Sequence, residues 1–510
     1  MRAGALRSLA WPRVVVTDLE ILVLLAIGRV LLHTLLNGQY GFHRDELGML
    51  DNARYLDWGY VEYPPLTAWL VRLELALFGA SLPGLRLLPA IAQAGVMVLA
   101  GRMAFELGGR RFAQVLAALA AGLVPFSLAF GGLFQYSSFD YLWFVLIAYL
   151  LIRLLKTDDT RWWLGIGAVI GVGMLTKYTM AFYVAGIVLG VLLTPVRRHL
   201  ASGWLWGGVA LALLVVTPNL LWQANHNFVS FDFLTYIHAR DVRIGRADTF
   251  VIEQLLLCAN AVTIPLWLAG LYFYAFAPRG ARYRTLFWMF AVPVVLLYAL
   301  SSRGYYTAAA YPMLLSAGAV LLEQGLMRLS NGWKRLAATA TWGGLTIGSL
   351  LCVIVLPVAP LPSALFDFVG NIHDVFREEV GWPELVTSVA GVYAALPDSE
   401  KPQAGILAHH VAEAGAINLY GPAYGLPEAI SGGNTAGLRG YGDPPRTIIV
   451  VGWPSRVVNY YFGKCDWAAR ITNPYGVINE VSRDNPDIWL CRDIRSSWST
   501  LWQNYPSKYQ

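Results

Sequence analysis

Long apolar segments recur along this chain, and they limit its fold more than any other feature. A helix crossing the hydrocarbon core of a bilayer needs about 20 mostly apolar residues. Segments of that kind lie at approximately 17–36, 86–106, 112–130, 139–156, 162–178, 180–196, 203–222, 251–276, 285–300, 307–325 and 336–356. The 510-residue chain is 56% hydrophobic and only 14% charged, against about a quarter charged in soluble domains. A mainly α, multi-pass membrane protein with eleven transmembrane helices follows.

The basic residues orient these helices. A net charge of +6 in a soluble chain would suggest nucleic acid. Here the cations fall in short loops between apolar runs, so topology accounts for them and no nucleic-acid partner is expected. Arg102, Arg110 and Arg111 share one loop, and Arg153, Lys156 and Arg161 share the next on that side. Arg197 and Arg198, then Arg279, Arg282 and Arg284, then Arg328, Lys334 and Arg335 continue the series. All land on the side of the N-terminus, which the positive-inside bias makes cytoplasmic. The expected topology is N-in and C-out. The first run follows Arg2, Arg7 and Arg13 without a small-residue cleavage site, and reads as a retained signal anchor.

The outer side receives the 38–65 loop, the 131–138 turn, the 223–250 loop, Ser301–Tyr306 and everything after residue 357. The stretch FHRDELGMLDNARYLDWGYVEYPPL (42–66) is polar, aromatic and carries Pro64-Pro65, a costly composition for a connector beside lipid. LTAWLVRLELALFGA (66–80) carries Arg72 and Glu74 and is expected to lie at the interface, so that interfacial helices occupy about 42–80. Residues 1–357 thus form a membrane domain and 358–510 a separate outer domain. In the latter, AGILA (404–408) and TIIVVG (447–452) read as strands, and 383–396 and 454–462 as helices, which predicts a small α/β domain. Cys258 and Cys352 sit in apolar runs, whereas Cys465 and Cys491 flank a polar stretch where a disulfide is open to formation.

Charged residues converge on the outer side from four separate segments. Asp45 and Glu46 follow the first span; each reads either as a general base at the membrane edge or as a cap of the helix starting near Leu47. Asp140 opens a span, where helix capping and a site role are equal readings. Lys177 and Arg303 are cations near the interface, the latter beside Tyr305, Tyr306 and Tyr311. Snorkelling and an aromatic belt explain them individually. A site for a phosphate at the headgroups needs this mixture of cation and carboxylate. His226, with Trp222, Gln223 and Asn227, is a candidate contact for sugar or acceptor, and lacks a companion at metal-ligand spacing. No phosphate-cradling GxxxxGK[ST] motif occurs, which disfavours a nucleotide-driven pump.

Five ordered stretches carry a resemblance: HRDELGMLDNARYLDWGYVEYPPL (43–66), SSFDYLWFVLIAYL (137–150), GVGMLTKYT (171–179), PNLLWQANHNF (218–228) and RGYYTAAAYPMLLSAGA (303–319). Together they resemble bacterial relatives of the dolichyl-phosphate-mannose protein mannosyltransferases, a branch of the C-type membrane glycosyltransferases that includes the aminoarabinose transferases. GWPEL (381–385) and 413–434 resemble the outer domain of one bacterial subgroup. The resemblance implies an inverting transfer of sugar from a polyprenyl-phosphate donor to an acceptor hydroxyl on lipid, glycan or protein, at the extracytoplasmic face of the cell membrane. It implies Asp45 as base, with Glu46 and Asp140 as further catalytic carboxylates, and Lys177 and Arg303 as donor-phosphate ligands. His43, Arg44, Tyr63, Tyr305, Tyr306 and His226 are the implied substrate contacts. Arg303 stands where relatives often carry Lys, and Tyr63 where Gln is expected. No cofactor is required and no metal site is assigned, although a divalent ion is compatible. The rival reading is a secondary transporter or flippase using Asp45 and Asp140 as a relay.

Overall fold

The structure is a computed structural model that describes residues 17–506 and 508–510; Arg2, Arg7 and Arg13 lie outside the described residues. Helices occupy all eleven expected positions. Among the described residues, six are long and apolar enough to cross a membrane: Asp18–Leu36, Leu82–Glu106, Tyr136–Thr157, Gly203–Asn225, Gly304–Leu326 and Asn331–Val355. Three bent pairs raise that number to as many as nine. Trp162–Met174 and Arg284–Ala299, at 13 and 16 residues, are shorter than a standard span.

Small residues let these helices touch backbone to backbone, the packing device of membrane bundles. A Cβ on Gly270 would sit 1.9 Å from the Leu314 carbonyl, and one on Gly318 would sit 1.9 Å from that of Leu266. The helices Ile264–Ala275 and Tyr311–Leu326 are therefore locked at that crossing. The basic loops gather at one end of the bundle. Arg153 and Lys156 hold Glu106 at 3.0 and 2.9 Å, Arg279 donates to Gln324, and the Arg110 amide donates to Glu323.

At the other end, the 38–65 loop forms the short helix Arg44–Asn52, followed by Leu66–Phe78. The outer domain is a five-stranded sheet: β1 (Ala404–Ala408), β2 (Ala429–Ile430), β3 (Thr447–Val451), β4 (Phe462–Arg470) and β5 (Asp487–Ile494), in the order β2-β1-β3-β5-β4. β1 runs parallel to β2 and β3, whereas β5 is antiparallel to β3 and β4. Every residue of β3 is buried, as expected for a strand covered on both faces. Cys465 and Cys491 stand opposite each other on β4 and β5 and form a disulfide; Cys258 and Cys352 are buried and free.

One hydrophobic cluster joins Phe42, Leu47, Leu50 and Tyr63 of the first outer loop to Trp382, Val386, Ile417 and Ile449 of the outer domain. The two regions approach closely at Gly415, whose Cβ position lies 2.4 Å from the Leu47 carbonyl. The outer domain is thus seated directly on the helix that carries Asp45.

Candidate active site

The two helices that meet at Gly415 begin the same way. His43 and Glu46 form a reciprocal cap at the start of Arg44–Asn52, and His410 and Glu413 repeat it at the start of Val411–Tyr420. In each, the histidine Nδ1 accepts from a backbone amide two residues on, while the glutamate accepts the histidine's own amide. His43 is consumed by this role and lies behind the chamber wall. Burial first, then Arg44, pushes the His410 imidazole down to about 3, so it is neutral.

Both helix starts open on a cavity of about 800 Å³. Of the residues expected at a site, Arg44, Asp45, Tyr63, Lys177, Arg303 and Tyr306 line it. Asp45 is the second residue of its helix, where the dipole favours an anion. Its side chain is 37% exposed into the chamber, with Arg44 Nε 3.6 Å away and Gln135 donating to Oδ2. Burial pushes the carboxyl up, but His43, Arg44 and the Gln135 bond together outweigh it and leave it below the ordinary range. Asp45 is therefore an ionised carboxylate with access to the cavity.

Glu46, its neighbour, is fully buried. Arg86 grips it with Nε at 2.9 Å and a terminal nitrogen at 2.7 Å, and the Phe134 amide donates to it at 2.8 Å. The same guanidinium bonds the carbonyls of Asn37 and Gly41 and the Glu379 carboxylate of the outer domain. Glu46 does not face the cavity, contrary to the expectation that both acids of the pair would. The bracket uses every donor of Arg86, and no room for a substrate remains.

Lys177 closes the chamber from the loop between Trp162–Met174 and Met180–Leu193. Its Nζ donates to Ser137 Oγ at 3.0 Å and sits over the rings of Tyr306, Tyr136 and Tyr305 at 4.1, 5.0 and 5.7 Å. Ring faces hold a cation without neutralising it. Asp140 lies behind, buried, accepting from Thr179 at 3.1 Å, and its charge is felt at Lys177. It does not line the cavity, so it supports Lys177 rather than touching what enters. Tyr305 contributes a wall of the cage. His226 stacks on Trp222 at 4.0 Å and bonds that residue's carbonyl, outside the chamber.

The sequence reading missed Asp241, Arg240 and Arg246. They lie on and just after Val229–Arg243, a helix within a stretch read as loop. Arg303 forks onto Asp241 at 2.6 and 2.8 Å. A carboxylate near a helix C-terminus opposes the dipole, so that fork compensates it. The helix stops by a Schellman turn. Gly245 takes φ +73°, its amide donates to Val242, and the Arg246 amide donates back to Asp241. Gly245 three residues before an aspartate, after a charged run, was the readable signal for that stop.

Residues 62–222 match the family model described as dolichyl-phosphate-mannose-protein mannosyltransferase. The crystal structure of ArnT from Cupriavidus metallidurans bound to undecaprenyl phosphate superposes with a TM-score of 0.56 at 16% identity, covering 93% of this chain and 98% of that one. This chain has the membrane fold of ArnT. An Archaeoglobus fulgidus oligosaccharyltransferase shares the fold more distantly, with a TM-score of 0.50 over 79% of this chain and 63% of its own. Two curated proteins of Rhizobium johnstonii are related in sequence. The lipid A galacturonosyltransferase RgtD is 28% identical over 270 residues, 50% of this chain and 55% of its own. The lipopolysaccharide core galacturonosyltransferase RgtA is 25% identical over 226 residues, 42% and 44% respectively. The matched stretches thus span about half the length of these curated relatives.

Proposed function

We propose that the protein is an inverting glycosyltransferase that moves a sugar from a polyprenyl-phosphate donor to a hydroxyl of a lipid or glycan acceptor at the extracytoplasmic face of the cell membrane. The observation that carries this reading is the shared chamber: an ionised, accessible Asp45 and a tyrosine-caged Lys177 open on one cavity large enough for a sugar. The relatives' names, the fold they share and the expected topology point the same way.

The donor's isoprenoid tail lies among the spans and its phosphate meets the Lys177 ammonium, which the tyrosine cage leaves free to take an anion. Arg303 contributes through its remaining donor face, since its inner fork is held by Asp241. Asp45 takes the proton of the acceptor hydroxyl. The hydroxyl oxygen attacks the anomeric carbon, the bond from that carbon to the phosphate oxygen breaks, and the polyprenyl phosphate leaves with the electron pair. Attack opposite the leaving group inverts the centre. General-base catalysis of this kind supplies about 10²–10⁴-fold. Fixed cations meet the leaving charge, so the step needs no nucleotide; a divalent ion is compatible with it. Arg44 and Tyr63 border the space for the sugar, and the outer domain roofs it through His410 and Glu480.

The test is reconstitution in liposomes with undecaprenyl-phosphate sugars and a lipid A acceptor, read by mass spectrometry and by NMR of the new anomeric centre. A new glycoside of inverted configuration is expected. Movement of the labelled lipid or sugar across the bilayer with no new glycoside would establish the transporter reading in its place.

A further inference from the structure

We infer that the chamber contains a second oxyanion site, formed by Arg240 and Arg246 beside the Arg303–Asp241 pair, for a carboxylate or phosphate other than the phosphate that leaves with the polyprenol. The inference rests on the transferase reading and names a substrate feature for it.

Charge imbalance is the first ground. Three guanidinium groups surround one carboxylate, and Arg303 occupies both of its oxygens. Arg240 and Arg246 approach Asp241 only to 3.7 and 3.8 Å, without a hydrogen bond. Glu480, the acid facing them from the outer domain, is already paired with Arg44. The second ground is an orphan donor: Arg240 Nε is buried and has no partner. A desolvated guanidinium donor without an acceptor is costly, and a bidentate oxyanion is the ligand that matches its fork. Third, both side chains line the chamber and are only 26% and 38% exposed, reachable but partly stripped of water. The Schellman turn at Gly245 is what folds Arg246 back beside Arg240.

Position separates this site from the leaving phosphate. Tyr305 and the Arg303–Asp241 pair link the two. Lys177 Nζ lies 5.7 Å from the Tyr305 ring, and Arg303 donates to the Tyr305 hydroxyl at 3.1 Å and forks onto Asp241. Arg240 and Arg246 approach that same Asp241 carboxylate. Two sources supply an oxyanion there: the carboxylate of a uronic-acid donor sugar, or a phosphate or carboxylate on the acceptor.

The experiment uses the full chain in lipid nanodiscs with four substrates: undecaprenyl phosphate carrying a hexuronate or the corresponding hexose, and lipid A with or without its phosphates. Binding is measured by native mass spectrometry and transfer by product formation. In R240Q/R246Q, the affinity and KM for one charged member are expected to worsen by about 10-fold or more, with its neutral counterpart and kcat unchanged. The member affected identifies the source. R240K/R246K should recover part of the loss, and R243Q, exposed on the same helix, should change nothing. Equal losses for charged and neutral members, or no loss in either, with melting temperature preserved, overturn the site. Charge-selective binding that disappears in R240Q/R246Q while the wild type transfers no sugar would sink the transferase reading and leave the site standing.

Discussion

Asp45 and Glu46 are adjacent on one helix, yet they belong to two regions with opposite physics. Asp45 opens on the chamber, with its neighbouring cation at 3.6 Å and its oxygens partly free. Glu46 sits in the bracket behind it, where Arg86 joins the first span, the first outer loop, the second span and the outer domain. The difference teaches that a charge is available for chemistry when its partners leave lone pairs unspent. A buried charge with every partner satisfied holds the scaffold instead.

Substitutions that break one region and spare the other sharpen this contrast. The largest effect is expected for Asp45→Asn, a loss of about 10²–10⁴-fold in transfer rate in protein that still folds. Single-turnover assays beside thermal unfolding measure both. Arg86→Ala should do the reverse, leaving the Glu46 carboxylate buried without its cation at a cost of about 3–5 kcal/mol. Loss of folded protein in a detergent melting series would report it, and an unshifted melt would refute the bracket. Opening Cys465–Cys491, which closes a loop of 26 residues, should destabilise the outer domain by about 3 kcal/mol while the spans stay folded. Limited proteolysis of Cys465→Ala/Cys491→Ala protein would show cleavage confined to residues after 357.

The smallest effect is one of pH. The Asp45 carboxyl lies below its ordinary value of 3.8, so its basic form persists until the pH falls through that lowered value. Its stabilising contribution is present above the unfolded value and lost below the folded one. Arg44→Gln removes the permanent charge that opposes burial, and the acid limb of the rate profile should move upward. In the bracket the sign reverses. Burial pushes Glu379 up to about 8 against the pull of Arg86, so its contribution is complete at acid pH and fades as the pH rises through that value. Glu379→Gln should flatten the melting temperature across that range.

Much of this was legible in the sequence, for identifiable reasons. Apolar length marked eleven helical stretches but not which of them cross, since 112–130, 180–196 and 251–276 are each broken by a bend. Asp45, Lys177 and Arg303 meet at one chamber as their polar segments suggested. The buried strands β1 and β3 announced themselves as short apolar runs. β4 and β5 did not, because FGKCDWAAR, at the edge of the sheet, and DIWLCRDI, between β3 and β4, mix charge with apolar residues and are only partly buried. The split between Asp45 and Glu46 was invisible for a different reason. It depends on Arg86, 40 residues away, and on Glu379, 293 residues beyond that. Asp241 was hidden because its value comes from the Arg303 fork, a pairing across 62 residues that no local pattern encodes.

The most direct test is a cryo-EM structure of the protein with undecaprenyl phosphate bound. The phosphate is expected against Lys177 Nζ within the tyrosine cage, with Asp45 facing it across the chamber. A phosphate seated away from Lys177, or at the end of the bundle that holds Glu106 and Glu323, would contradict the account.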